Sequence, residues 1–216
     1  MHPRPAFIFF KPVSLKLTKT ALSWCLGKGS LGIRGSKRRP WLEIKRVETE
    51  RPYLSYQLFS LRRAADGPTD DVRDTLTGSS FYDIERIRFT GEGLEAAYRM
   101  LYPRDKRVIT PEVLDTCGIE GLAAIWLDQG IIKPNKRGVL SGKYSLEEAH
   151  HIKNAFRSHG IAARITPRPK PMVLFDPKVM PDLKVLLTPY VHRTMLSKLM
   201  LRKPRTARDG SKSAAR

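Results

Sequence analysis

The sequence predicts an α+β fold built from two similar halves. The first observation is a repeat, because the stretch GLAAIWLDQG at residues 121–130 has a weaker copy, ALSWCLGKG, at residues 21–29. Each copy resembles one helix that contains small residues and ends at a glycine able to terminate a helix. After each copy, the same order of elements follows. We therefore expect two pseudo-symmetric αββαββα half-domains, packed on each other through the two repeated helices.

In the first half, residues 1–17 are expected to form an extended basic arm, since prolines and β-prone residues disfavour a helix there. Residues 17–26 are predicted to form the first repeat helix. Glycines and basic residues then indicate a hairpin turn, and apolar residues alternate with charged ones over residues 41–47, as in a strand. The remaining elements of this half are a helix at 50–65, a turn-rich connection at 66–80, a strand at 81–89 and a short helix at 91–101.

In the second half, Thr110 is predicted to cap a helix that has Pro111 and Glu112 in its first turn. Ser145 is predicted to open a second helix, whose apolar residues on one side are Leu146, Ala149, Ile152 and Phe156. The other elements are a basic hairpin at 131–141, strands at 161–166 and 172–175, and helices at 181–187 and 191–200. The expected domain boundaries are an arm at 1–17, half-domains at 18–105 and 106–200, and a basic tail at 201–216.

The charge of the chain indicates a polyanionic partner. Its 216 residues include 40 Lys and Arg against 21 Asp and Glu, a formal net charge of +19. No acidic residue precedes Glu43, and Asp209 is the one acid after Arg193. Such a field attracts nucleic acid first, with an anionic membrane surface as the alternative. No run reaches the roughly 18 apolar residues of a membrane helix. The acid-free N-terminus fits either an organelle transit peptide or a basic arm on RNA.

The sequence offers little for a metal or a cofactor. Cys25 and Cys117 have no partner at zinc-ligand spacing and cannot form a disulfide framework, which indicates a reducing compartment. His150 and His151 are adjacent and would point about 100° apart on a helix, so surface positions are expected for both. Residues 27–32 match G-x-G-x-x-G, but the fingerprint needs a strand before it, and here a helical segment precedes. We expect no cofactor and no metal.

Basic residues recur at matching places in both halves and are predicted to form a phosphate-binding surface. Trp41, Tyr53 and Tyr56 are expected in the core rather than in base stacking. The predicted nucleic-acid-binding residues are Arg34, Lys37, Arg38, Arg39, Lys45, Arg86, Arg88, Lys136, Arg137, Lys143, Arg164, Arg168 and Lys170.

From residue 17 to about residue 200 the chain resembles the LAGLIDADG homing endonuclease family in its single-chain, two-motif form. The resemblance rests on LSWCLGKGSLGI from Leu22, where the family has a leucine-rich helix ending LGDG, and on GLAAIWLDQG in the second half. YSLEE from Tyr144, which opens a helix after a strand, and the closing segments LTPYV from Leu187 and MLSKL from Met195 support it. The resemblance implies two motif helices along a pseudo-twofold axis and two curved antiparallel sheets that form a saddle over nucleic acid.

The resemblance also implies an acid at the end of each motif helix, where it would hold the metal ions that cleave the backbone. Those positions fall on Lys28 and Gln129. Mg²⁺ requires hard anionic oxygen ligands, and a lysine ammonium or a neutral amide does not supply them. Asp128 stands one position early and is turned by about 100°. The sequence therefore predicts a degenerate endonuclease scaffold without catalytic residues.

We expect this scaffold to bind structured RNA in a mitochondrion, with the chloroplast as the alternative organelle. Loss of both acids removes the reason to hold a DNA cleavage site, and the basic ends resemble the tails of ribosomal proteins. Ribosomal RNA, with neighbouring ribosomal proteins, is the favoured partner, and intron RNA bound by a splicing cofactor (maturase) is the second. An active DNA endonuclease is the third hypothesis. No membrane and no homo-oligomer are required.

Overall fold

The computed structural model describes residues 15–34, 39–76, 83–167 and 170–200. The chain divides into two compact units, Met1–Val108 and Ile109–Arg216. Each unit has the order helix, two strands, helix, two strands, helix, and each contains one four-stranded antiparallel sheet. The predicted α+β class with two αββαββα halves is therefore confirmed.

The first unit has strand order β1-β2-β4-β3, so the two hairpins meet through β2 and β4. Short 3-10 turns precede the second helix and follow the third. Its elements are α1 (Leu15–Leu26), β1 (Ser30–Arg34), β2 (Arg39–Val47), α2 (Arg51–Ala64), β3 (Thr69–Leu76), β4 (Ile84–Gly91) and α3 (Leu94–Leu101).

The second unit repeats this topology with shorter strands, in the order β5-β6-β8-β7. A 3-10 helix at Arg193–Leu199 follows α6. The elements are α4 (Pro111–Gln129), β5 (Gly130–Ile132), β6 (Gly138–Leu140), α5 (Leu146–Ser158), β7 (Arg164–Thr166), β8 (Met172–Phe175) and α6 (Met180–Leu187).

The two repeat helices are buried on every side near their C-terminal ends, as expected of apolar helices at the centre of a fold. In α1, eight of the twelve residues are buried, and in α4 the whole run 121–127 is buried. Both helices end alike, because the Gly29 amide donates to the Trp24 carbonyl and the Gly130 amide donates to the Trp126 carbonyl.

In each unit the helices cover one face of the sheet, and the core lies between them. In the second unit, Phe175 on β8 meets the rings of Trp126 and Phe156 at centroid distances of 5.7 and 5.0 Å. The predicted caps are confirmed: Thr110 Oγ1 accepts from the Val113 amide at 3.3 Å, and Ser145 forms a reciprocal capping box with Glu148.

Three predictions of local structure were wrong. The expected connection at 66–80 contains strand β3, whose acidic residues pair with arginines that hold it in the sheet. Helix α1 begins at Leu15, inside the predicted arm. Leu146 is 46% exposed because it is the first residue of α5, before the apolar side meets the core. The helix predicted at 191–200 is present as the 3-10 helix Arg193–Leu199. Among the described residues, no helix has the length and apolarity needed to cross a membrane.

Candidate nucleic-acid interface

The face of the first sheet that points away from the helices carries polar side chains from three strands. Along β2, Leu42 and Ile44 are completely buried towards the helices, so the alternating residues between and beside them point outward. The register then places Glu43 opposite Arg88 and Lys45 opposite Arg86. We call this surface the outer face; its residues include Trp41, Glu43, Lys45, Asp70, Val72, Asp74, Arg86, Arg88 and Thr90.

Most of the cations on the outer face are held by acids of the same face. Glu43 receives Lys45 Nζ at 2.7 Å, Arg88 Nε at 3.2 Å and an Arg86 guanidinium nitrogen at 3.7 Å. Arg86 also binds Asp74 through Nε at 2.7 Å. The three predicted phosphate-binding residues on the centre of this face thus lie in one ion-pair network, which fixes their geometry and offsets their charge.

Acid should weaken this network. Burial tends to raise the pKa of Glu43, but hydrogen bonds from Lys45 and Arg88 and the nearby charge of Arg86 outweigh it and lower the pKa. The hydrogen bond from Arg86 likewise lowers the pKa of Asp74. A carboxylate with a depressed folded-state pKa stabilises the fold above its unfolded pKa, and this stability is lost as the pH falls through the folded value.

We therefore expect the melting temperature of the chain to fall as the pH is lowered from about 5 to about 3. Glu43→Gln should melt below the wild type at neutral pH and approach it at pH 3. The matched control is Glu95→Gln, which removes an exposed pair with Arg99 and should run parallel to the wild type. Equal pH dependence of the wild type and Glu43→Gln would contradict the role of the network.

The corresponding face of the second sheet is largely apolar. Leu140, Val173 and Phe175 point to the helices and are fully buried, so the alternate positions form the opposite face. These positions are Ile131, Val139, Leu174 and Met172, with Arg164 on the edge strand. The central strands of the second sheet therefore lack the basic residues that the central strands of the first sheet carry on the corresponding face.

The predicted basic residues of the second unit lie mostly in turns. Lys136 is exposed, with a left-handed φ of 63°, in the turn between β5 and β6, and the half-buried Arg137 follows it. Lys143 is exposed in the loop before α5, and Lys170 is exposed in the turn before β8. On β7, Arg164 donates to Asp176 at 2.6 Å.

At the entry to the first sheet, Arg39 begins β2 and is exposed, opposite Arg34 in the register. The side chain of Arg34 is outside the described part of the chain. Lys37, Arg38 and Arg168 also lie outside the described residues, so their predicted role stays a prediction.

The residue just after the first motif helix is a cation. Lys28 follows the end of α1, and its side chain is 48% exposed. Its Nζ lies 4.0 Å from Glu50 Oε2, which also faces Arg46 at 3.5 Å. A glutamate shared by two cations is balanced within the protein, and the ammonium beside it repels a divalent cation.

The tip of the second motif helix carries a neutral amide. Gln129 is the last residue of α4, and its Oε1 accepts a hydrogen bond from the hydroxyl of the buried Tyr144. The backbone continues from here into β5, and the carbonyl of Gln129 accepts from the Ser141 amide at 3.2 Å. The amide oxygen of Gln129 is thus occupied by an internal donor.

These two positions do not fit the divalent metal ions that the family resemblance implies. Neither tip supplies a carboxylate, and Mg²⁺ takes carboxylate and water oxygens. Among the described residues, no group of three or more His, Cys, Asp or Glu is arranged to hold a metal ion.

Sequence reasoning missed the partners that define these sites. Glu43, Asp74 and Glu50 were not recognised as the acids that hold the basic residues, although Glu43 alternates with Leu42 and Ile44 in a readable strand pattern. Trp41 was expected in the core and is instead half-buried on the outer face. The alternative nucleotide fingerprint at residues 27–32 is excluded, since α1 precedes it and β1 follows it.

No protein-family model matches the sequence, and no curated protein matches it significantly. Solved structures do. The homing endonuclease I-WcaI bound to its DNA recognition sequence has a TM-score of 0.67 at 18% identity, covering 90% of each chain. I-DmoI in complex with DNA and Ca has a TM-score of 0.55 at 10% identity, covering 81% of this chain and 90% of that one. I-DmoI with DNA and Mn has a TM-score of 0.51 at 13% identity, covering 83% and 99%.

Proposed function

The chain has the fold of the single-chain, two-motif LAGLIDADG homing endonucleases, and from this premise we propose that it binds nucleic acid without cleaving it. The observation that carries the proposal is the chemistry of the two helix tips. Lys28 lies next to Glu50, and the side-chain oxygen of Gln129 accepts a hydrogen bond from the Tyr144 hydroxyl. Neither helix tip therefore offers the anionic oxygen that a catalytic metal ion requires.

Binding is supported by the charge of the chain and by its structural neighbours. The formal net charge is +19, and the fold is shared with proteins whose structures contain DNA. Basic residues precede Glu43 without any acid, and basic residues dominate again after Arg193. A cationic surface of this kind neutralises phosphates and releases counterions, which drives association with nucleic acid of any sequence.

Within nucleic acids we propose structured RNA as the ligand, and a mitochondrial ribosome as the assembly. A scaffold without metal-binding acids has no cleavage site to present to DNA, and long basic ends suit the dense phosphate of folded RNA. The second candidate is an intron RNA, bound by the chain as a splicing cofactor. In that case the ligand would still be structured RNA, but it would be part of a precursor transcript and not of a ribosome.

Binding and cleavage can be measured together. The chain is incubated with a structured RNA and with duplex DNA, in Mg²⁺ or in Mn²⁺, and both complexes and products are followed on gels. We expect complexes with intact nucleic acid in either metal. Metal-dependent cleavage that disappears in Gln129→Ala and in Asp128→Asn would overturn the proposal. The matched control is Asp182→Asn, at an exposed position in the first turn of α6.

Sedimentation separates the two RNA assemblies. Stoichiometric comigration with a ribosomal subunit in high salt supports the ribosomal assignment. Association with an intron precursor, without any subunit, would replace it by the splicing assignment.

The contribution of the basic tail is expected to appear in the salt dependence of RNA binding. Removing residues 203–216 deletes five basic residues, Lys203, Arg205, Arg208, Lys212 and Arg216. We expect the slope of log affinity against log salt to become shallower by up to about 3.5 to 4.5, since each of five neutralised phosphates contributes about 0.7 to 0.9. A tail of the same length with these five residues changed to glutamine should behave like the truncation. A slope equal to that of the wild type in both variants would contradict a phosphate-binding tail.

A further inference from the structure

A cavity of about 360 Å³ opens on the outer face of the first sheet. We call it the Trp41 pocket, and it is lined by Arg39, Trp41, Asp70, Asp71, Val72, Arg88 and Thr90. A neighbouring cavity of about 500 Å³ shares Arg39 and Thr90 with it. Each volume falls within the range of about 300–1,000 Å³ that is typical of pockets for small organic groups.

The sheet register gives the pocket two walls and a floor. Thr90 lies opposite Asp70, and Arg88 lies opposite Val72, so β3 forms one side. Trp41 precedes Leu42, which pairs with Phe89, so β2 forms the other side. Because β4 runs between β2 and β3, the backbones of these two strands stand about 10 Å apart, and Arg88 and Thr90 of β4 lie between them. The cavity of about 360 Å³ on this surface is large enough for one planar base.

The walls suit the faces of such a ring. The Arg88 guanidinium carbon lies 5.6 Å from the centroid of the Trp41 ring, and Arg88 Nε is held by Glu43 at 3.2 Å. The planar guanidinium of Arg88 is therefore held beside the indole, and the carboxylate of Glu43 offsets part of its charge. On the opposite side Val72 is 53% exposed, which leaves an apolar surface in contact with solvent. Aromatic and guanidinium planes are the surfaces on which unpaired bases stack.

The rim supplies polar groups of two kinds. Arg39 is exposed at the start of β2 and offers donors for a phosphate. Asp70 is exposed on the edge strand, and its carboxylate can accept a hydrogen bond from an exocyclic amino group. Cytosine, adenine and guanine carry such a group, whereas uracil does not.

We propose that the Trp41 pocket binds one unpaired nucleotide of an RNA. The base lies in the pocket against Trp41, Arg88 and Val72, its amino group faces Asp70, and its phosphate lies at Arg39. A base can reach this pocket only when it is turned out of a stack, so the site selects loops, bulges or ends over a continuous duplex. This inference rests on the proposed RNA binding and adds the class of nucleotide that one surface would recognise.

Gly32 on β1 gives a way to test the position of the Trp41 ring without removing the ring. A Cβ on Gly32 would approach Trp41 Cε2 and Cζ2 to 2.9 Å, closer than real contacts allow. Gly32→Ala should therefore push the indole away from β1 and towards the Trp41 pocket, which narrows the pocket. We expect this variant to lose nucleotide binding although every lining residue is retained.

Tryptophan fluorescence reports on the site directly. The chain has three tryptophans, and Trp24 and Trp126 are only 9% and 0% exposed, so an added nucleotide can stack on Trp41 alone among them. The probes are CMP, AMP and UMP, together with an RNA hairpin that has an unpaired loop and a fully paired RNA duplex of equal length. We expect saturable quenching by CMP and AMP and weaker quenching by UMP, and Asp70→Asn should reduce this difference.

Trp41→Leu should weaken binding of the hairpin by about 5- to 150-fold, the range for one base–aromatic stack, and change duplex binding by less than twofold. Circular dichroism establishes that Trp41→Leu and Gly32→Ala are folded. Val72→Glu changes an exposed residue of the pocket and leaves the indole in place, so it gives a third test of nucleotide binding. Hairpin binding without quenching, or equal losses on hairpin and duplex, would overturn the pocket while leaving RNA binding intact. Failure of the wild type to bind either RNA would overturn the proposed function itself, whatever the free nucleotides do.

Discussion

Replacing Arg46 by alanine is expected to lower the free energy of unfolding by about 3–5 kcal/mol. Arg46 lies on β2 and points to the helices, with its side chain 0% exposed. Its Nε donates to Gln57 Oε1 at 3.1 Å, and its guanidinium lies 4.8 Å from the centroid of the Tyr53 ring. Removing this side chain leaves Gln57 without that donor and Glu50 without one of its two cations.

Urea unfolding followed by circular dichroism measures the effect, since urea does not screen ion pairs as guanidinium does. Arg46→Met combined with Glu50→Gln should recover much of the loss, because both charges are removed together. The surface control is Arg99→Ala, which breaks an exposed pair with Glu95 and should cost less than about 1 kcal/mol. A loss below 1 kcal/mol for Arg46→Ala would mean that the buried network contributes little.

The same network connects the stability of the first unit to Lys28 at the end of α1. Glu50 lies between the buried Arg46 and the half-exposed Lys28. An acid at this position, as in Lys28→Asp, would place two carboxylates beside each other where one cation now stands. Like charges at such separations are unfavourable, so the surroundings of Glu50 suit a lysine better than an acid at residue 28.

The repeat and the order of elements were predictable from sequence because they depend on local patterns. Thr110 and Ser145 precede apolar helical runs, and both cap helices as expected. Strand β3 was missed since aspartates at residues 70, 71 and 74 disfavour strands locally, and its stability comes from distant arginines. Asp71 pairs with Arg62 of α2, and Asp74 pairs with Arg86 of β4. Contacts of this range are fixed by the fold and not by neighbouring residues.

The candidate site was predictable in its residue types but not in its charge balance. Counting lysines and arginines along the sequence predicts a basic surface. In the structure, the pairing of β2 with β4 brings Glu43 next to Lys45, Arg86 and Arg88, which offsets part of their charge. The second unit differs for a related reason. Its strands are only three or four residues long, so its basic residues fall into turns and its sheet face is apolar.

Trp126→Ala is expected to destabilise the second unit by about 3–5 kcal/mol. The side chain is 0% exposed, and its ring packs edge-on against Phe175 at 5.7 Å. It also fills the space above Gly138, where a Cβ would come within 2.9 Å of the indole. Alanine would leave a large cavity in a core that is otherwise closely packed, and such cavities collapse only in part.

Trp126→Phe separates the packing of this ring from its hydrogen bond. The indole Nε1 donates to the Lys198 carbonyl at 3.2 Å and so fastens the 3-10 helix Arg193–Leu199 to α4. Phenylalanine keeps most of the apolar volume but leaves that carbonyl without this donor, a cost of about 1–3 kcal/mol. We expect trypsin to cleave after Lys198 earlier in Trp126→Phe than in the wild type, while cleavage after Arg157 on α5 is unchanged. Equal acceleration at both sites would mean that the substitution loosens the whole unit, and that the hydrogen bond does not hold the C-terminal segment in particular.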